Sequence, residues 1–448
     1  MPVGVLCAVR GPGETAVVTA LDGAAGRVTV TRRCADLAEL LGAAAAGLGH
    51  LAVVSADLPH FDREAVAQLH AVSVRVLVLT APVPGQVARM VALGADAVLD
   101  DAVDGSALVG AVLALAEAAD QDLAERFPGA PASPDGVLPG PDAVLPGPAA
   151  AAPSRIGSVV AVWGPTGAPG RSTVAINLAA ELAALAGPGE LGGPRGALLV
   201  DADTYGGTVA QLLGMLDESP GLAAAARAAG QGSLDLASLA RLTPLLAPDL
   251  RVLTGISRAN RWPEVPASAL EVVWELARGL AAWTVIDCGF CLEQDEALSY
   301  DTRAPRRNAA TLSALEAADV VVVVGSGDPI GVQRLVRGIA DLANVAVPVT
   351  ARRVVVVNRL RTSAAGPRPS EAVRASLGRY AGIDAPHFVP DDRPGVDAAV
   401  LRGATLREAS SGSPARRAIV ALAALLTQPG ATTDLPQGRR ARRQGRRP

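Results

Sequence analysis

The sequence predicts an α/β protein: a doubly wound domain followed by a larger α/β domain with a mostly parallel sheet. Three observations predict it. The first 120 or so residues alternate strand-like and helix-like runs five times. A second alternating block runs from Ile156 to about Gln428. Between them, Phe127 to Ser154 carries eight prolines among Gly and Ala, and Asp135-Gly-Val-Leu-Pro-Gly-Pro141 is nearly repeated as Asp142-Ala-Val-Leu-Pro-Gly-Pro148. Strands that alternate with helices read as crossover units and parallel sheets, and a Pro-rich stretch reads as an extended, semi-stiff linker. The expected organisation is a first domain over 1–122, a linker over 123–155, a second domain over 156–428 and an Arg-rich tail over 429–448.

In the first block the strand candidates are Val3–Val9, Val28–Thr31, Leu51–Ser55, Val74–Thr80 and Ala97–Leu99. Helix candidates fall between and after them, at Glu14–Leu21, Leu37–Ala46, Arg63–His70, Pro84–Leu93 and Ser106–Ala118. In the second block the strands are expected at Val159–Trp163, Ala197–Val200, Leu250–Thr254, Trp283–Ile286, Val320–Val324, Arg353–Val357 and Pro386–Val389. Helices separate them, for example Ala267–Leu280, Ile330–Leu342 and Ala415–Leu426. Each strand is a short apolar run rich in β-branched residues, as strands buried on both faces require.

Composition bounds the function. Of 448 residues, 50% are hydrophobic but only 2% are aromatic, so Ala, Val and Leu must fill the cores. All 40 basic residues are arginine. The net charge is −4, unevenly spread: the tail from Pro429 has six Arg and one Asp and is +5, leaving −9 for the rest. That balance argues against a globally basic nucleic-acid binder. Four cysteines do not make a disulfide framework, which fits a reducing cytosol. The N-terminal Met-Pro-Val-Gly-Val-Leu-Cys lacks the features of a secretory signal. No apolar run reaches the ~18 residues of a membrane span.

The segment Gly164-Pro-Thr-Gly-Ala-Pro-Gly-Arg-Ser-Thr173 carries the most chemistry. It joins Val159-Val-Ala-Val-Trp163 to the helix-like Val174-Ala-Ile-Asn-Leu-Ala-Ala-Glu-Leu182. Strand, glycine-rich turn and helix in that order are the context a phosphate-binding loop needs, the alternative being an ordinary strand-to-helix turn. Gly167 and Gly170 let backbone amides approach an anion, and Ala168 is still small. Pro165 and Pro169 each remove one donor. Ser172 offers the hydroxyl expected to hold Mg²⁺, with Thr173 behind it. Arg171 stands where such loops carry lysine, and brings a planar fork in place of a compact ammonium. Two further strands end in acids. Leu198-Leu-Val-Asp201-Ala-Asp203 puts two carboxylates at i, i+2, where both can face one crevice, and Trp283-Thr-Val-Ile-Asp287-Cys-Gly289 ends in a third. An aspartate at Asp287 can bind Mg²⁺ through water, and Gly289 can present its amide to a γ-phosphate.

In these motifs the second block resembles the deviant-Walker P-loop ATPases of the MinD/ParA superfamily. Within it the resemblance is to the CpaE/TadZ-like branch, linked to Flp pilus assembly and polar positioning, and to septum-site-determining relatives. Gly170-Arg-Ser-Thr-Val-Ala-Ile-Asn-Leu-Ala179, Asp201-Ala-Asp203 with Gly206-Gly-Thr-Val-Ala-Gln-Leu-Leu-Gly214, Val354-Val-Val-Val-Asn358-Arg359, Val389-Pro390 and Ser413-Pro-Ala-Arg-Arg417 carry it. The resemblance implies ATP and Mg²⁺ as ligands and an ATP-dependent homodimer. It implies pilus-assembly or septation proteins as partners, and a cytoplasmic location that extends to the inner membrane face. It assigns the attacking water to Asp203, the magnesium shell to Ser172, Asp201 and Asp287, and adenine to Asn358 beside Arg359. Two family lysines are missing: Arg171 replaces the one that contacts β- and γ-phosphates, and Thr166 the one that reaches across the dimer. Both losses bear on turnover more than on binding. A nucleotide-free scaffold and a ParA-like DNA-partition ATPase are the alternatives, and the acidic body disfavours the second.

After Asp287 comes a long segment with Arg303, Arg306 and Arg307, one of which could supply charge to a phosphate, or else pair with Asp295 and Asp301. Cys288 and Cys291 form a Cys-x-x-Cys with no second pair to complete a zinc site. The first block resembles a response-regulator receiver that has lost its chemistry. Ser55 stands at the acceptor position, Asp57 is two residues late, and Leu6-Cys-Ala-Val-Arg-Gly11 lacks the paired acids of a Mg²⁺ cage. It reads as a pseudo-receiver used for protein contacts. The tail Gly438-Arg-Arg-Ala-Arg-Arg-Gln-Gly-Arg-Arg-Pro448 has no apolar face, so only its charge can attract anionic lipid.

Overall fold

The computed structural model describes residues 2–24, 26–126, 157–167, 169–186, 194–215, 221–294, 305–345 and 347–428. Most of the expected linker, the expected tail, Ala168, Asp295, Asp301 and Arg303 lie outside the described residues. The chain forms two compact units, one around each of two sheets.

The first sheet contains β1 (Val3–Ala8), β2 (Val28–Arg33), β3 (Leu51–Ser55), β4 (Arg75–Thr80) and β5 (Ala97–Asp100) in the order β2-β1-β3-β4-β5. All its pairings are parallel. This is a doubly wound sheet with one apolar cluster on each face. Val54 and Val78 turn to one face while Val53 and Leu77 turn to the other, as the two-residue strand period dictates. The helix expected over Ser106–Ala118 is longer, Gly105–Arg126.

At the carboxyl edge of this sheet the Arg10 backbone N–H donates to Ser55 Oγ at 2.9 Å. The Arg10 guanidinium donates to the Asp57 carbonyl at 3.2 Å and lies 3.9 Å from its carboxylate. A cation therefore stands among the residues that would have to gather acids around a metal.

Asp96 anchors the other end of the sheet. It accepts from the Val76 amide at 2.7 Å and from Arg75 at 2.8 Å, and faces His70 Nε2 at 2.8 Å. Burial alone would raise its carboxyl, but His70, the Val76 amide and Arg75 together lower it to about 2. A depressed carboxyl contributes stability above its ordinary value near 4, and that stability is lost as the pH falls through about 2. Asp96→Asn should therefore cost the first unit about 2 kcal/mol at neutral pH. Hydrogen exchange of the β4 amides should quicken by about thirtyfold; an unchanged rate would show that the cluster contributes nothing to folding.

The second sheet contains β6 (Ser158–Trp163), β7 (Ala197–Ala202), β8 (Leu245–Ala247), β9 (Leu250–Leu253), β10 (Trp283–Cys288), β11 (Val320–Ser326), β12 (Arg352–Leu360) and β13 (His387–Pro390). Their order is β13-β12-β11-β6-β10-β7-β9-β8, and only β8 runs antiparallel to its neighbour. β8 was not expected from sequence, since Leu245-Leu-Ala247 is too short to show a period. The central strands are continuous apolar runs with both faces covered, as in β11, whose five valines are all buried. The helix Arg171–Leu185 is buried almost all round, and its alanines let it lie close to the sheet and to the helix Pro414–Thr427. Among the described residues no helix is long and apolar enough to cross a membrane.

Candidate functional site

Residues 164–170 leave β6 at the centre of the second sheet and enter the helix Arg171–Leu185. Ligands in open α/β sheets bind at the carboxyl ends of the strands, where the connections diverge, and the loop lies at that edge. Gly170 caps the helix in the left-handed region (φ 87°) and offers no side chain to the first-turn amides. Those amides and the helix dipole favour an anion. Gly167 is also left-handed (φ 109°). A side chain at either position would be strained, and at Gly170 its Cβ would collide with Asn358 Nδ2.

Arg171 is the first helical residue, and its side chain folds back over the loop. Nη1 donates to the Gly164 and Pro165 carbonyls, both at 3.2 Å, and Nη2 lies 3.5 Å from Asp203 Oδ2. The guanidinium is mostly buried, and Nε has no partner. A lysine ammonium could not span these three acceptors; the arginine fork can.

The three acids converge as their strand ends predict. Asp287 on β10 pairs in register with Asp201 on β7, so the two carboxylates lie one strand apart. Asp201 is satisfied by its own turn, accepting from the Asp203 and Val209 amides at 3.2 and 3.1 Å. Asp203 accepts from the Tyr205 amide at 2.9 Å and the Gly206 amide at 3.3 Å, and its other oxygen faces Arg171.

Asp287 is fully buried, and among the described residues neither carboxylate oxygen has a hydrogen bond. Burial and the neighbouring Asp201 push its carboxyl well above the usual range, against the pull of Ser172 and Arg171. Ser172 thus lies beside Asp287 without making a bond of ordinary geometry to it. A hard divalent cation suits this donor set of buried carboxylates and one hydroxyl. Among the described residues, however, no three His, Cys, Asp or Glu side chains are grouped to ligate one directly. The donor set therefore fits a cation held by Ser172, ligand oxygens and water. Gly289 follows β10, and a Cβ there would lie 3.3 Å from Asp203 Oδ1 and 3.0 Å from Thr311 Oγ1.

A cavity of about 390 Å³ opens beside the first turn of the same helix. Thr173, Asn358, Arg359 and Pro390 line it, together with Asp328 and Asp392. Asn358 Nδ2 donates to the Pro169 carbonyl at 2.8 Å, which fixes the side chain and leaves Oδ1 as an acceptor. Arg359 holds a left-handed backbone (φ 53°), unusual for a residue with a side chain. Behind the cavity, buried Glu181 pairs with Arg416 at 2.7 Å and Arg407 at 3.0 Å. Asn177 Oδ1 accepts from the Leu406 amide at 2.7 Å. The loop's helix and the C-terminal segment are thus fixed to each other.

Arg307 is engaged within the fold: it donates to Thr204 Oγ1 at 2.7 Å and to the Thr204 carbonyl at 3.0 Å, and stacks 3.8 Å over the Tyr205 ring. Tyr205 also packs on Phe290 and donates to Asn308 Oδ1 at 2.8 Å. Arg307 is therefore used to fix the turn that carries Asp203, and Arg306 is exposed. Sequence reasoning missed Asp328, Asp392 and Glu181. Glu181 had a visible signal, a single acid inside the apolar run Ala179-Ala-Glu-Leu-Ala183, which must be paired if buried.

Comparison with known proteins gives relatives in structure only. No family model and no curated protein matches the chain. Among solved structures, the chain is similar to a ParA family ATPase from Chlorobium tepidum, with 18% identity over 61% of this chain and 100% of that one, TM-score 0.49. It is similar to the septum site-determining protein MinD of Pyrococcus horikoshii in complex with Mg-ADP, with 18% identity over 61% of this chain and 97% of that one, TM-score 0.46. The receiver domain of the response regulator NarL from Mycobacterium tuberculosis matches 26% of this chain over 97% of its own length, with 26% identity and a TM-score of 0.24.

Proposed function

We propose that the second unit binds an adenine nucleotide with Mg²⁺ and that the chain is a MinD/ParA-type switch. It would act as an ATP-dependent homodimer that positions pilus-assembly or septation machinery, with slow or absent hydrolysis. One observation carries this reading: an uncapped helix N-terminus and a buried, unpartnered carboxylate meet at the edge of one sheet. The first wants an anion and the second a cation, and a magnesium-bound polyphosphate supplies both.

The residues divide the work as follows. The amides at Gly167, Gly170, Ser172 and Thr173 take the phosphates, and Gly289 the terminal one. Ser172 would hold the cation, with Asp201 and Asp287 reaching it through water. Bound there, the cation neutralises phosphate charge. The cavity beside Asn358 takes the base, whose exocyclic amine can donate to Asn358 Oδ1. Asp203 is the residue to orient water, but both of its oxygens are engaged. That is the physical support for slow turnover.

A second reading has its own observation. Arg171 is already bonded to two loop carbonyls and faces Asp203, so the same fold can serve as a nucleotide-free scaffold that acts through protein contacts, the first unit included. Calorimetric titration with ATP and ADP in the presence of Mg²⁺ separates the two. The switch predicts saturable binding, weakened about tenfold or more in Ser172→Ala. No heat at millimolar nucleotide would establish the scaffold.

A further inference from the structure

The phosphate loop is poor in charge along its own sequence. Thr166 is neutral, Pro165 and Pro169 have no amide donor, and Arg171 is engaged with Gly164, Pro165 and Asp203. A second arginine reaches the loop from far along the chain. The helix Pro329–Ala343 follows β11, the strand that pairs with β6. Its residues 334 and 338 share one face, four apart. That face is fitted to the loop at two points. At Gly338 an added Cβ would lie 3.1 Å from Pro165 and 3.2 Å from the Trp163 ring, so the helix packs tightly on the loop there. One turn earlier, the Arg334 guanidinium lies over Gly167: a Cβ there would collide with Nη1 and stand 3.2 Å from Cζ.

Arg334 is exposed, and no hydrogen bond or ion pair among the described residues engages it. Asp328, the nearest acid on its own element, is used as the helix cap and accepts from Ser326 Oγ and the Gly331 amide at 2.9 Å. A free cation is therefore held against the loop glycine whose amide faces the ligand in the reading above.

We propose that Arg334 is a phosphate-binding residue of this site, and that its ligand class is a di- or triphosphate. The inference rests on the nucleotide reading. The charge that the loop lacks at Thr166 is supplied in space by a residue 168 positions later. In an open site a guanidinium at this place contributes both attraction and directed hydrogen bonds to phosphate oxygens.

The test uses the full chain, Mg²⁺, and three probes titrated by calorimetry: inorganic pyrophosphate, ADP and adenosine. Arg334→Gln should weaken pyrophosphate and ADP by about tenfold or more and leave adenosine unchanged. Arg334→Lys should recover part of the loss. Arg337→Gln, on the same helix but lining the groove beside Val373 and Tyr380, should stay within about twofold, because screened charge alone acts weakly. Arg334 is exposed, so its truncation leaves no cavity, and equal thermal midpoints verify the fold. If the wild type binds pyrophosphate and ADP and Arg334→Gln binds them equally well, the role of Arg334 is wrong while the nucleotide reading stands. If the wild type binds neither probe, the nucleotide reading falls, and the inference with it.

Discussion

Asp287→Asn is expected to stabilise the protein and, if the proposed site binds nucleotide, to remove most of the Mg²⁺-dependent affinity. The carboxylate is fully buried, has no hydrogen bond to either oxygen among the described residues and sits beside Asp201. Its carboxyl is raised in the folded state by burial first and by Asp201 second. The folded chain therefore holds this proton more tightly than the unfolded chain does. The sign is the reverse of the usual aspartate: stability is greatest below about pH 4, the ordinary carboxylate value, and falls as the pH rises from there towards the raised one. At neutral pH the wild type carries the cost of an unsatisfied buried group, about 2 kcal/mol. Asparagine keeps the shape and removes the charge. All four tryptophans, Trp163, Trp262, Trp274 and Trp283, lie in the second unit, so their fluorescence reports its unfolding alone. The variant should unfold at higher denaturant at pH 7, and the difference should shrink as the pH approaches 4. A variant less stable than the wild type at pH 7 would mean that Asp287 has a compensating partner, and the cation site would lose its basis. A gain in stability paired with a loss of binding is what a site that stores strain for a ligand should show.

Most of the strands were legible because their signals are local. Val320–Val324 and Val354–Val357 are unbroken valine runs, the pattern of buried strands in a parallel sheet. The acids were legible for the same reason: Asp201, Asp203 and Asp287 end such runs, and the carboxyl ends of parallel strands point to one edge. What the sequence hid depends on distance along the chain. That Arg307 stacks on Tyr205, that Glu181 pairs with Arg407 and Arg416, and that Arg334 lies over Gly167 are contacts between residues more than 100 positions apart. No period or motif encodes them in a single sequence. The uniform use of arginine adds to the difficulty, since a charge with a task has the same residue type as one on a solvated face. Arg171 was visible as a substitution, but not the fact that its side chain turns back onto the loop. That depends on the carbonyl directions of Gly164 and Pro165, which only the folded loop defines.

Arg171 is where the switch and the scaffold differ most, and two substitutions separate them. Arg171→Ala removes a cation beside Asp203 and Asp287, together with its bonds to Gly164 and Pro165. If the site binds nucleotide, loss of a charge-assisted contact should cost about 10- to 100-fold in MgADP affinity. If the protein is a scaffold, the loss is of stability alone. Arg171→Lys is the sharper test. Lysine keeps the charge, but a single ammonium cannot reach both carbonyls and Asp203 at once. MgADP affinity should then stay within about threefold of the wild type. Asp203, freed of its ion pair, should become available to water, so ATP turnover should rise by about tenfold or more. Steady-state phosphate release from the wild type, Arg171→Lys and the double variant Arg171→Lys, Asp203→Asn measures this directly. The double variant must lose the gain, because the argument requires the gain to pass through Asp203. A gain that survives in the double variant would locate the brake elsewhere. If Arg171→Lys binds MgADP and turns over no faster than the wild type, the contact between Arg171 and Asp203 is a structural tie and not what holds hydrolysis back.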